Sequence, residues 1–533
     1  MPGHRITCPY CFTEFDDSQV MFRMETVFDS EDDLSITDPG TGKKYYSRDE
    51  IMKDPTLNES TRKGLFDQFG FYTGFVKQED QEYEDFWKRF NGTTEVSAKA
   101  HDGGAQVDPW LRRVYDPHNP AHQKFFKFIN PPSDTGLIWK ATDCFGRETT
   151  RRVCPVCHNP LPGLYGKYPV KFISIIGITG AGKTVYLSQL VQWLVEDFSR
   201  CGITAEPTST YAYRYRNDNP VEMQKPLPPG TEPQTLLQPL CFDLIYKDDS
   251  GRSHGQTLVF YDIAGENCQI SYDDAQVAAK AKQFGPFIEH SNGIMLVVQP
   301  QQFEKPDPVG GPQAVLTVVH DLFAGHANDL EKIPLAVCIS KGDTVAQAIL
   351  GGPIPQNQYV KNNLGRYCPV FNAESYNKIY SPVFEFVQRM ANALVGSLSS
   401  QFPIHDLFIV SAIGTAVEEF TDDNGNTYEA PAAPPSPQRL VEPLLWMLNR
   451  FGYIGATGFI NEPNDWECPK CGRRLHTTDT FCPDCGVNRN GNWICPLCGN
   501  MNAASDVQCT HTERGFLGMT KRCRGVPSWQ RQQ

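Results

Sequence analysis

The chain has little that would carry it to a membrane or to bare nucleic acid. Its apolar runs fall well short of the roughly 20 residues that a membrane-spanning helix needs, which argues against a helical span. No cleavable signal pattern opens the sequence, so a cytoplasmic setting is expected. Positive charge is in deficit: 49 Lys and Arg face 62 Asp and Glu, a formal net charge of −13. That balance opposes nonspecific binding of the whole chain to DNA or anionic lipid. No internal repeat is visible, which argues against a solenoid. A disulfide framework is missing as well. Of the 18 cysteines, Cys144, Cys201, Cys241, Cys268, Cys338 and Cys368 show no pairing pattern, and the rest occupy metal-type positions. This usage suits a reducing compartment. The length of 533 residues leaves room for about two to four domains.

Against these absences, residues 177–184 read GITGAGKT, a complete G-x-x-x-x-G-K-[ST] loop. It follows the apolar run KFISII (171–176) and opens the helical pattern VYLSQLVQWLVEDF. Strand, glycine-rich turn and helix form the context that a phosphate cradle requires. Gly177, Thr179, Gly180, Ala181 and Gly182 let the backbone wrap close to the phosphates, and the helix N-terminus adds positive potential. Lys183 would reach the β- and γ-phosphates, and the hydroxyl of Thr184 would bind Mg²⁺.

Further strand-like runs follow: CFDLIY (241–246), TLVFYD (257–262), GIMLVVQP (293–300), PLAVCIS (334–340) and HDLFIVSAIG (405–414). The second ends in Asp262-Ile263-Ala264-Gly265. An Asp at a strand's carboxyl end can hold Mg²⁺ through water, and Gly265 allows a backbone N–H near the γ-phosphate. Ile263 stands where Walker-type ATPases usually carry a second acid, which favours GTP. Ser340-Lys341-Gly342-Asp343 offers a carboxylate for guanine N1–H and N2–H, with the Lys stem over the base. Ser411 and Ala412 end the last strand, where a backbone N–H could meet guanine O6.

With GITGAGKT, DIAG, SKGD and SA in this order, residues of about 165–452 resemble the translation-factor-related GTPase class. The layout is similar to the bacterial double-GTPase families, which join cysteine-rich modules to a nucleotide domain. The resemblance implies GTP and Mg²⁺ as ligands, with Lys183, Thr231 and Glu266 as catalytic candidates. Two residues depart from the pattern. Ser340 stands where such GTPases usually have Asn or Thr, which weakens the expectation of strict guanine selectivity. Glu266 stands where Ras-like enzymes place a water-orienting Gln; an acid can position water but also repels the γ-phosphate. The Mg²⁺-binding threonine of the first switch is expected at Thr231 or Thr235, with Thr231 preferred because LPPG before it makes a hinge. Arg214 and Arg216, upstream in the same loop, could serve as an arginine finger in cis or simply be solvated loop charges.

Cysteine pairs supply the second signal: CPYC (8–11), CPVC (154–157), CPKC (468–471), CPDC (482–485) and CPLC (495–498). C-P-x-C forms a knuckle that aims two thiolates at one metal. Cys468, Cys471, Cys482 and Cys485 have the spacing of a compact zinc ribbon, and no thioredoxin-type βαβ pattern surrounds them. Cys8/Cys11 and Cys154/Cys157 each supply half a site. The simplest solution joins them into a split ribbon, and two incomplete sites are the alternative. The stretch of about 12–150 mixes acidic runs with aromatics and reads as an α+β insertion. Trp493, Cys495, Cys498, Asn502 and Cys509 resemble the Ran-binding-protein type of zinc finger, leaving Cys523 or His511 as the fourth ligand. Members of that family bind RNA or ubiquitin, so the resemblance selects no ligand. The segment from Trp466 onward is only mildly basic, short of the clustered basic face that nucleic acid usually needs.

The expected architecture is therefore α/β: a P-loop GTPase domain with a mostly parallel sheet, small zinc-ribbon modules and an α+β insertion. Its divisions are 1–165 (split ribbon with insertion), 166–455 (GTPase domain), 466–490 (ribbon) and 491–533 (finger). The expected cofactors are GTP, Mg²⁺ and about three Zn²⁺. Such a chain would be a slowly hydrolysing switch or scaffold in a bacterial defence or signalling system, meeting protein partners through its zinc modules. RNA is a weaker alternative partner, and a membrane is not expected. The competing reading is a zinc-finger adaptor whose nucleotide is structural and not turned over.

Overall fold

In a computed structural model of the protein, the described residues are 5–91, 113–116, 118–120, 127–129, 139–230, 238–248, 251–268, 284–304, 309–323, 330–363, 365–458, 465–476, 479–514 and 520–527. The fold is GTPase-like α/β. Its strands are β1 (Val170–Gly177), β2 (Thr204–Pro207), β3 (Leu240–Lys247), β4 (Ser253–Ile263), β5 (Gly293–Val298), β6 (Leu335–Ile339) and β7 (His405–Ile409). They form one 7-stranded sheet of order β2-β3-β4-β1-β5-β6-β7. From β4 to β7 neighbouring strands run parallel, while β2, β3 and β4 pair antiparallel at one side.

Every residue of β5, β6 and β7 is buried. This is why those segments read as unbroken apolar runs: a central parallel strand is covered on both faces. The main helices are α1 (Lys183–Ser199), α2 (Thr210–Asp218), α3 (Pro312–Leu322), α4 (Ala373–Met390), α5 (Asn392–Gln401) and α6 (Glu442–Arg450). On α6, Trp446 is fully buried and meets Phe408 of β7 edge-on, ring centroids 5.6 Å apart.

The stretch that carries Arg214 and Arg216, expected as loop, contains β2 and α2. Residues 421–438 carry one arm of a hairpin, Val417–Thr421 paired with Thr427–Pro431. Asp422 closes its turn by accepting the N–H groups of Asn424 and Asn426.

The cysteine-bearing segments form small modules around the sheet. Arg5–Thr7 and Glu14–Asp16 pair across the first knuckle. Its Phe12 lies 5.7 Å from Phe172, 6.0 Å from Tyr261 and 5.2 Å from Phe287 by ring centroids, and is stacked on His290 at 4.5 Å. The Tyr261 hydroxyl donates to the Pro9 carbonyl at 2.7 Å, and that of Tyr165 to the Thr7 carbonyl at 2.8 Å. The module thus shares one continuous core with the sheet.

The inserted segment carries the helices Glu59–Tyr72 and Gln81–Asn91 and a core of its own around Ile51, Leu65 and Phe69. Asp80 pairs with Arg23 at 2.6 Å and with His158, next to the second knuckle, at 2.8 Å. Trp87 adds an indole hydrogen bond to Asn159 at 3.1 Å. At the other end of the chain, Trp466, Val487 and Trp493 belong to one core together with cysteines of both C-terminal modules. The Ile494 N–H also donates to the Gly486 carbonyl at 3.1 Å. Those two modules pack as a single unit.

Candidate nucleotide and metal sites

The carboxyl ends of β1, β4, β5, β6 and β7 lie along one edge of the sheet, the edge at which open α/β folds bind ligands. From β1 the chain passes through the glycine loop into α1. Gly182, at the N-cap of α1, has φ 74°, a conformation that suits glycine. A Cβ on Gly177 would lie 2.5 Å from the Lys183 Cβ, so the loop can close over the lysine only with glycine there.

A cavity of about 670 Å³ opens at this edge. Gly177, Thr179, Gly180, Ala181, Gly182, Lys183 and Thr184 line it, together with Ile178 and Val185. Ser340, Lys341, Asp343, Ser411 and Ala412 line the same space. Leu227, Pro228 and Gly230 contribute a wall, as do Val417 and Glu429 of the hairpin. The hairpin grips that wall: the Leu227 N–H donates to the Glu429 carbonyl at 3.1 Å and the Gln224 N–H to the Pro431 carbonyl at 2.9 Å.

Asp262 stands beside this cavity at the end of β4. Its Oδ1 is ion-paired with the Lys183 ammonium, and its Oδ2 accepts from the Tyr215 hydroxyl at 3.2 Å. Burial, and then the Asp262 charge, push the Tyr215 phenol well above its ordinary range. Ser340 is buried, and its hydroxyl donates to the Ala181 carbonyl of the glycine loop at 2.7 Å. Lys341, in the left-handed region at φ 49°, extends across the loop to Gln299 Oε1 at 3.1 Å. The Ser411 N–H is taken by the Gln438 carbonyl at 3.1 Å.

Gly265 and Glu266 belong to the short turn Gly265–Cys268; the Glu266 and Arg216 side chains, and residues Thr231 and Thr235, lie outside what is described. Arg214 is exposed on α2. The sequence reading missed Tyr215, Gln302, whose amide donates to the Thr179 carbonyl at 2.8 Å, and the hairpin. Only the hairpin had a signal: Asp-Asn-Gly-Asn between β-forming residues.

Three clusters of four cysteines have Sγ atoms close enough to share a metal. A tetrahedron with Zn–S bonds of about 2.3 Å has S···S edges of about 3.8 Å. The Cys8–Cys157 and Cys11–Cys154 separations are both 3.7 Å. Cys468–Cys485 and Cys471–Cys482 lie at 3.3 and 3.6 Å. Cys495–Cys523 and Cys498–Cys509 lie at 3.7 and 3.5 Å, so Cys523 and not His511 completes the third cluster. Soft thiolates at this spacing fit Zn²⁺, whereas the Thr184 hydroxyl and Asp262 carboxylate are hard oxygens that fit Mg²⁺.

Residues 171–366 match the family model Double-GTPase 2. A curated relative from Mycolicibacterium smegmatis, named as an ESX-1 scaffolding and assembly protein, SaeC, is 30% identical over 152 residues. The match covers 27% of this chain and 37% of the relative, so the chain spans a little over a third of that protein's length. Among solved structures, the chain is similar to Era from Aquifex aeolicus bound to GDP·AlF4− (12% identity, 55% of this chain, 60% of that chain, TM-score 0.24). It is also similar to the signal recognition particle receptor SRb-GTP/SRX complex of Chaetomium thermophilum (13% identity, 47% and 93% covered, TM-score 0.21). Residues 171–366 are thus similar to the double-GTPase model, and they include the glycine loop, Asp262 and the SKGD turn.

Proposed function

We propose that the protein binds GTP with Mg²⁺, hydrolyses it slowly and acts as a nucleotide-controlled switch or scaffold. The observation that carries this reading is the shared cavity: the phosphate-loop residues and the SKGD and SA residues line a single space. A nucleoside triphosphate would lie along it with its phosphates at Gly177–Thr184 and its base between Lys341, Asp343 and Ala412. The loop N–H groups and Lys183 would hold the β- and γ-phosphates, and Asp343 would accept two guanine N–H groups. With the Ser411 N–H engaged by the Gln438 carbonyl, the Ala412 N–H would meet guanine O6. Thr184 and Asp262 would hold Mg²⁺, which supplies charge neutralisation across the phosphates. Thr231 and Glu266 are the candidates for ordering the attacking water.

The three Cys₄ clusters would hold Zn²⁺ and give the switch its docking surfaces. A relative named for scaffolding and assembly supports a scaffold over a metabolic enzyme. GTP should outcompete ATP by about a hundredfold, since each charge-assisted hydrogen bond is worth roughly 1.5–3 kcal/mol. Turnover without a partner should lie on the order of 10⁻⁴ to 10⁻² s⁻¹, the range of switches lacking an arginine finger in trans. Competition binding and single-turnover hydrolysis measure both, and equal affinity for ATP would overturn the assignment.

A further inference from the structure

Asp262 does not stand alone at the end of β4. One carboxylate oxygen meets Lys183, and the other accepts a hydrogen bond from the Tyr215 hydroxyl at 3.2 Å. Tyr215 is 2% exposed, with its ring edge-on to Tyr211 at 5.6 Å between centroids. The helix that carries it is anchored at both ends. At its start Ser209 caps the Ala212 N–H at 3.2 Å, accepts the Cys241 N–H of β3 at 3.1 Å and donates to the Pro239 carbonyl at 3.0 Å. At its end the Asn219 carbonyl accepts the hydroxyl of Ser188, which lies on α1, the helix opened by the phosphate loop. Tyr215 is therefore a fixed donor, mounted between β3 and α1 and aimed at Oδ2 of Asp262, while Lys183 meets Oδ1.

We infer that Tyr215 is a positioning residue for the Mg²⁺ site: it fixes the rotation of the Asp262 carboxylate and so sets how tightly Mg²⁺ is held with the nucleotide. The inference rests on the proposed role of Asp262 in binding Mg²⁺. Outer hydrogen bonds to metal-binding carboxylates typically change metal affinity by about 10- to 100-fold when removed. The bond joins α2, in the segment leading to the first-switch candidate Thr231, to the strand that carries Asp262. A change in that segment would thus reach Mg²⁺ without a residue of α2 touching the metal.

The test is Tyr215→Phe in the full chain, which deletes one oxygen and keeps the ring. Mg²⁺ is titrated into protein loaded with a fluorescent guanine nucleotide, and nucleotide release is followed at each Mg²⁺ concentration. Mg²⁺ should bind the variant about tenfold more weakly, while nucleotide affinity in excess EDTA stays within twofold of the parent. In an Asp262→Asn background, Tyr215→Phe should add nothing. Unchanged Mg²⁺ affinity in the variant, in a parent that does depend on Mg²⁺, would overturn the Tyr215 inference and leave the GTPase reading standing. A parent indifferent to Mg²⁺ would overturn both. An equal loss of affinity in EDTA would show that Tyr215 only packs. Should Tyr215→Phe fail to fold, Ser209→Ala loosens the same helix without touching the ring. A loss of about threefold is then expected, and no loss overturns the inference.

Discussion

At Ser340 a short side chain does the work of a longer one. Its residue type suggests a weak brace between the base-binding and phosphate loops. In the fold the β6 end comes so close to the glycine loop that the hydroxyl reaches the Ala181 carbonyl directly. The residue types of GITGAGKT are dictated by the phosphates they would hold, and they were legible without a structure. Tyr215 and Gln302 were not, because each acts through a neighbour that only the fold supplies. At this scale the sharpest expectation concerns Asp343. Asp343→Asn exchanges a carboxylate, which accepts two guanine N–H groups, for an amide that can donate to the 2-oxo group of xanthine. Preference should move from GTP toward XTP by about tenfold or more. Competition between the two nucleotides on parent and variant reads this, and an unmoved ratio would mean that Asp343 does not touch the base.

Among the elements, the first knuckle has the most to do. Its cysteines come from residues 143 and 149 positions apart in the pairs Cys11–Cys154 and Cys8–Cys157. A metal there would close a long loop, and such closures constrain the unfolded chain strongly. The knuckle also places Phe12 in the aromatic cluster beneath β4, and Pro9 accepts from Tyr261, the residue before Asp262. Cys8→Ser and Cys154→Ser should each remove the same ion from a parent that holds about three zincs. Both should lower thermal stability by a similar margin, on the order of 3 kcal/mol. Metal analysis of the double variant is decisive: two ions lost where each single variant loses one would separate the half-sites. The pairing of knuckles was readable from spacing because a lone C-x-x-C cannot complete a tetrahedron. That the ribbon packs into the GTPase-like core was not readable, since Phe12 is one aromatic among 32 Phe.

For the molecule as a whole, the pH dependence of stability should carry the mark of groups whose pKa values burial has shifted. His405, at the start of β7, is 1% exposed, and its Nδ1 lies 2.6 Å from the Phe402 carbonyl. Burial lowers its pKa to about 4, and the carbonyl contact offsets this only in part. The unfolded chain binds a proton at this imidazole near pH 6.5, where the folded protein does not. Stability from this group is therefore complete above pH 6.5 and falls as pH drops toward 4, by about 3 kcal/mol in all. Buried Asp406 and Glu442 and half-buried Asp243 act in the opposite sense. Burial raises their pKa values, so their contribution to stability is greatest at low pH and fades as pH rises through the folded values. Acid would also release metal held by the cysteine clusters as thiolates protonate. The raw profile is thus a sum, and a difference isolates the imidazole. His405→Gln keeps an N–H donor for Phe402 and cannot titrate in this range. Against denaturant, the stability gap between parent and variant should narrow from pH 7 to pH 4.5, with the change confined to the interval below 6.5. A gap that stays constant across that interval would show that His405 keeps its ordinary pKa in the folded chain, and that the β7 edge of the core is wetter than its packing implies.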